Sequence, residues 1–104
     1  MAYTGRTKPG TTHVYIIECA GYSKIGVAKD PRQRLAAVNI GSPVTAVLYA
    51  TREFDERLVA YSVESRLHAQ FRELRTNGEW FDVPPEVAAA ALMKMRAHRL
   101  RDPT

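Results

Sequence analysis

Two short runs set the strongest constraint on how this chain folds. His13-Val14-Tyr15-Ile16-Ile17 and the segment ending in Lys24-Ile25-Gly26 are rich in Val, Ile and Tyr, and a turn containing Gly21 separates them. β-Branched and aromatic side chains suit a pleated, half-buried surface, so residues 13–19 and 23–28 read as adjacent strands of a hairpin. Asp30-Pro31-Arg32-Gln33-Arg34-Leu35 then opens a helix. Asp30 with Gln33 makes a capping-box-like start, Pro31 suits the first helical position, and Leu35 and Val38 form the apolar side before Gly41 ends the helix.

The remainder alternates in the same way. Residues 43–51, with Val44, Val47, Leu48 and Tyr49, read as a third strand. A second helix is predicted from Asp55, its cap, to about Arg75, with Asn77-Gly78 as its stop signal. Glu79-Trp80-Phe81-Asp82 reads as a short extended segment in which Trp80 and Phe81 lock against the sheet. A third helix follows from Pro84 or Pro85 to about Leu100, carried by the Ala-rich run at 88–91. The order β-β-α-β-α-(β)-α implies an α/β (α+β) fold with a small, mostly antiparallel central sheet and flanking helices. Residues 12–101 are expected to form one domain, and residues 1–11, which mix Gly, Pro and Thr without periodicity, are expected to form a flexible arm.

The second helix carries the most detail. At about 100° per residue, Ala60, Val63, Leu67, Phe71 and Leu74 fall in one apolar stripe that faces the sheet. Arg57, Tyr61, Glu64, His68 and Arg75 gather in an adjoining arc, which puts a glutamate and a histidine one turn apart at the border of the buried face. A carboxylate there is held firmly and still reached from solvent.

Composition narrows the function classes. With 104 residues, 45% hydrophobic and 25% charged, the chain is an ordinary globular domain. Cys19 is the only cysteine, which excludes an internal disulfide, and the N-terminus lacks the apolar core of a signal peptide; a reducing cytoplasm suits both. No run approaches the roughly 18 apolar residues of a membrane span. The net charge of +4 suits an anionic partner such as DNA. His13, His68, His98 and Cys19 have no zinc spacing, and no glycine-rich phosphate loop is present.

Five motifs in order resemble the GIY-YIG nuclease superfamily, most closely its phage and bacterial branch with KIG as the second motif. They are Val14-Tyr15-Ile16, Lys24-Ile25-Gly26, Arg34 on the first helix, Glu64-x-x-Leu67-His68 on the second, and Gly78-Glu79-Trp80-Phe81 at the close. The resemblance implies metal-dependent hydrolysis of a DNA phosphodiester with one Mg²⁺ or Mn²⁺ ion and no small-molecule cofactor. Tyr15 would act on the attacking water, Glu64 would hold the cation, and Arg34 would stabilise negative charge on phosphorus; Lys24 and His68 complete the catalytic set. A hard cation with oxygen ligands and a planar guanidinium suit that chemistry.

The second-motif tyrosine is replaced by Lys24, and Tyr22, two residues earlier on the same strand face, offers a phenol in its place. Asn77 stands at the distance of the asparagine that follows the second helix in nuclease members. Arg6, Lys8, Arg32, Arg57, Arg75, Arg99 and Arg101 are the candidate phosphate contacts. Two alternatives stay open: a DNA-binding module that keeps the fold without cutting, which is how the KIG branch is commonly described, and a phage or mobile-element protein-interaction domain. A homodimer also stays open.

Overall fold

The computed structural model describes residues 11–97. The hairpin forms as expected: strand β1 (Thr12–Cys19) pairs antiparallel with β2 (Tyr22–Ala28), Tyr15 facing Gly26 and Ile17 facing Lys24. Ala20 and Gly21 make its two-residue turn with φ of 54° and 86°, the left-handed pair that matches strand twist. Helix α1 (Pro31–Asn39) starts as expected, the Asp30 carboxylate accepting from the backbone N–H groups of Arg32 and Gln33 at 3.2 Å.

Strand β3 (Val47–Phe54) lies on the other side of β1 and begins four residues later than the sequence suggests. The reason is the Asn39 side chain, whose amide accepts from the Ala46 N–H at 2.7 Å and donates to the Ala46 carbonyl at 3.1 Å. That clasp holds the preceding loop off the sheet. Helix α2 (Arg57–Gln70) is capped one residue later than expected, with Glu56 rather than Asp55 at the N-cap.

The predicted extension of this helix to Arg75 is corrected. Phe71 leaves helical geometry to bury its ring, residues Arg72–Leu74 form a single 3₁₀ turn, and Leu74, expected in the core stripe, is 41% exposed. The predicted stop signal Asn77-Gly78 is the bend of a second, short hairpin. Strand β4 (Arg75–Asn77) turns through Gly78, φ 58°, into β5 (Trp80–Phe81). β5 pairs with β2 through Ser23–Phe81 and Lys24–Trp80, giving one five-stranded antiparallel sheet in the order β3-β1-β2-β5-β4.

Helix α3 (Pro85–Lys94) begins at Pro85 but ends well short of Leu100. Two arginines from other elements take the carbonyls that another turn would need. Arg52 donates through Nη1 to Leu92 at 2.8 Å and to Met95 at 2.7 Å, and Arg66 donates to Arg96 at 2.7 Å.

Helices lie on both faces of the sheet. On one, Val14, Ile16, Ile25 and Phe81 pack with Val63 and Leu67 of α2 and Ala88 and Leu92 of α3. Each large side chain so buried contributes about 1.5–3 kcal/mol. On the other, Tyr15 and Ile17 pack beneath Leu35 and Val38 of α1, with Trp80 at the margin. No helix among the described residues is long and apolar enough to cross a membrane. Of the predicted arm, only Thr11 falls within the described residues, and it is buried; Arg6, Lys8, Arg99 and Arg101 lie outside them.

Candidate active site

β5 is short, and where it stops the outer edge of β2 is left open. The Ile25 N–H still donates to the Glu79 carbonyl at 3.0 Å, but the Ile25 carbonyl on the same edge has no strand to meet. His68 fills that place from α2, its Nε2 lying 2.8 Å from the Ile25 oxygen. A carbonyl only accepts, so Nε2 carries the proton and donates it. The His68 ring also packs against Phe81 at 4.9 Å between centroids.

Residues from both faces converge on this open edge. Glu64, one turn before His68, lies 3.9 Å from it and is 15% exposed, the border position expected from its helical phase. From the opposite face, the Tyr15 side chain crosses the backbone of its partner Gly26. A Cβ at Gly26 would collide with the Tyr15 hydroxyl and would stand 2.8 Å from Glu79 Oε1. Glycine is therefore required by close approach, and Tyr15 and Glu79 crowd one point above β2. Arg34 of α1 donates through Nη1 to the Tyr15 hydroxyl at 3.5 Å, and Lys24 of β2 pairs with Glu79 Oε1 at 3.3 Å. Beside Arg34 a cleft of about 370 Å³ opens, lined also by Lys29, Asp30 and Gln33.

The electrostatics follow from this crowding. Burial pushes the Glu64 carboxyl up to about 7; the charge of Glu79 and a hydrogen bond with it add to the rise, while Lys24 and Arg75 oppose it. Burial also pushes the Tyr15 phenol up to about 12, with the Glu79 charge adding and Arg34 opposing. Tyr15 is thus a neutral phenol at ordinary pH.

Tyr15, Lys24, Arg34, Glu64 and His68 are brought together from four elements: β1, β2, α1 and α2. Tyr22 and Asn77 are placed elsewhere. Tyr22 is four residues along β2 from Gly26, about 13 Å at the usual rise per residue, and with Asn77 it lines a separate groove. Arg75 reaches Glu64 electrostatically from β4 rather than from the helix arc in which the periodicity placed it. It donates to the Gly78 carbonyl at 2.6 Å and lies over Phe81. Arg32 and Arg57 are exposed on α1 and α2. Glu79 is the residue that the sequence reading did not place in the site; its one signal was its position inside the Gly-Glu-Trp-Phe motif.

No group of three or more His, Cys, Asp or Glu side chains among the described residues is arranged to hold a metal ion. The oxygen pair of Glu64 and Glu79 nevertheless fits Mg²⁺ or Mn²⁺, since Mg²⁺ is commonly bound through one or two carboxylates with waters completing its shell.

No curated protein and no solved structure matches the chain. Residues 12–96 match a family profile described as the T5orf172 domain, a phage-associated domain.

Proposed function

We propose, from the premise that the chain belongs to the T5orf172 domain family, that it is a DNA endonuclease module of GIY-YIG type dependent on one divalent cation. The observation that supports this reading is the meeting of a phenol, a guanidinium, an ammonium and a carboxyl pair at the open edge of β2. A phosphodiester presents negative oxygens, a phosphorus to be attacked and a leaving oxygen, and each finds a counterpart in that set.

Arg34 and Lys24 supply the cations for the phosphate oxygens, Arg34 through a planar fork and Lys24 as a point charge whose direction Glu79 fixes. Tyr15, neutral and immobilised, orients the attacking water through its hydroxyl. His68 holds the middle of β2, at Ile25, and hence the spacing between Glu64 and Lys24. Glu64, with Glu79 beside it, would hold Mg²⁺ or Mn²⁺, which supplies Lewis-acid stabilisation of the phosphate and the leaving oxygen when bound.

The test is nicking of supercoiled plasmid and of branched DNA in Mg²⁺ or Mn²⁺ by the purified chain beside Glu64→Ala. Nicking by the native protein and its loss in the variant support the reading. A second reading, a DNA-binding module without cleavage, draws on Lys24, which replaces a motif tyrosine and is ion-paired to Glu79. Salt-dependent DNA binding with no nicking in either metal favours it.

A further inference from the structure

Beyond the charged edge, the same face of the sheet carries a groove that the proposed chemistry does not use. One wall is the β1–β2 hairpin end and the other is the β4–β5 hairpin end. Between them lies a cavity of about 420 Å³ lined by Cys19, Ala20, Tyr22, Thr76, Asn77 and Trp80, a size within the range of small-molecule sites. Register explains why these residues meet. Cys19 faces Tyr22, Lys24 faces Trp80, and Trp80 faces Asn77, and cross-strand partners project to one side of a sheet.

Two of the lining side chains are large aromatics. Tyr22 is 41% exposed, so much of its ring is open to a ligand. Trp80 is half-buried, its margin packed beside Ile17 and Tyr15, and Lys24 Nζ lies 5.7 Å from the centre of its ring. Trp80 is thus shared between groove and charged edge. The lining is mostly apolar, and Asn77 brings to it an amide, both donor and acceptor, beside the hydroxyls of Thr76 and Tyr22.

We propose that this groove is a nucleobase subsite, in which an unpaired base of the bound strand stacks on Trp80 and Tyr22 while its neighbouring phosphate lies at Lys24 and Arg34. The proposal rests on the nucleic-acid reading of the charged edge and adds what that reading lacks, a preference for unpaired strand. The occupant follows from the surroundings. A base needs a flat apolar surface, a polar group at its edge and a cation one sugar away, and the groove offers the three together. Stacking on aromatic side chains is tolerant of base identity, so the subsite selects strand state rather than sequence.

Trp80 is the sole tryptophan of the chain, so its fluorescence reports on the groove directly. The experiment titrates the full chain in EDTA with a single-stranded oligothymidylate and, separately, with an abasic phosphodiester of equal length. Expected are quenching of Trp80 by the thymidylate and affinity on the order of tenfold higher than for the abasic strand. Tyr22→Ala, a change at an exposed strand end, is expected to remove most of that preference while leaving abasic binding unaltered. Equal affinity for the two strands without quenching overturns the subsite and leaves the nucleic-acid reading standing. Absence of salt-dependent binding to either strand overturns that reading and the subsite with it.

Discussion

Tyr15 and Gly26 face each other across β1 and β2 so closely that the tyrosine ring occupies the space a side chain at 26 would need. Gly26→Ala is therefore expected to push the Tyr15 hydroxyl away from Arg34 and to disturb Glu79 as well. Overpacking of this kind costs about 1–3 kcal/mol. Urea unfolding should show a lowered midpoint with an unchanged slope, and nicking should fall further than the stability loss explains, because the displaced hydroxyl belongs to the site.

Glu64 makes stability pH-dependent, with a definite sign. Its folded value of about 7 lies above the ordinary 4.5, so between these values the folded protein keeps a proton that the unfolded chain releases. The contribution is full below about pH 4.5 and drains away as pH rises to about 7, at about 1.4 kcal/mol per pH unit. Glu64→Gln should flatten that decline and raise stability near pH 8 by on the order of 2 kcal/mol. Urea unfolding at pH 5 and pH 8, in EDTA, measures both. A wild-type curve that does not weaken over this window rules out the raised carboxyl.

Tyr15→Phe isolates the hydroxyl from the ring. The ring's packing against Ile17 and Leu35 is retained, and the bond lost is a long one to Arg34 at 3.5 Å, so stability should change by less than about 1 kcal/mol. Nicking, in contrast, should fall by about 10²-fold or more if the hydroxyl orients the water. With the phenol pushed up to about 12, no loss or gain assignable to Tyr15 is expected in the pH–rate profile below pH 10. An unaltered rate in Tyr15→Phe would remove Tyr15 from the chemistry.

Local signals were legible in the chain, and signals that depend on register were not. The Val/Ile/Tyr runs around Gly21 announced the β1–β2 hairpin, and Asp30-Pro31 announced α1, because each element is specified within a few residues. Asn77-Gly78 carries two meanings, helix stop and hairpin turn. Apolar Leu74 favoured the first, whereas pairing of β5 with β2 decided for the second. Arg52 and Arg66 end α3 from 30 to 43 positions away, a separation that periodicity cannot register. Tyr15, Lys24, Arg34, Glu64 and His68 were found as motif positions. Glu79 enters the site only because the short β5 sets it beside Gly26.

His68 separates an edge cap from a chemical group. Its Nε2–H satisfies the Ile25 carbonyl at the point where β5 ends, and its ring covers Phe81. His68→Ala leaves that oxygen without its partner and opens space beside the ring, a loss of about 1–3 kcal/mol from the hydrogen bond alone. His68→Gln keeps an N–H donor on a side chain long enough to reach and should recover part of the stability. If His68 acts by holding the edge, nicking at a temperature where all three proteins are folded should follow the order wild type, Gln, Ala, together with the unfolding midpoints. If His68→Ala unfolds at the wild-type midpoint and yet fails to nick, the imidazole takes part in the reaction itself, because a donor needed only to close the strand edge has no route to activity except through the position of Ile25 and the carboxyl pair beside it.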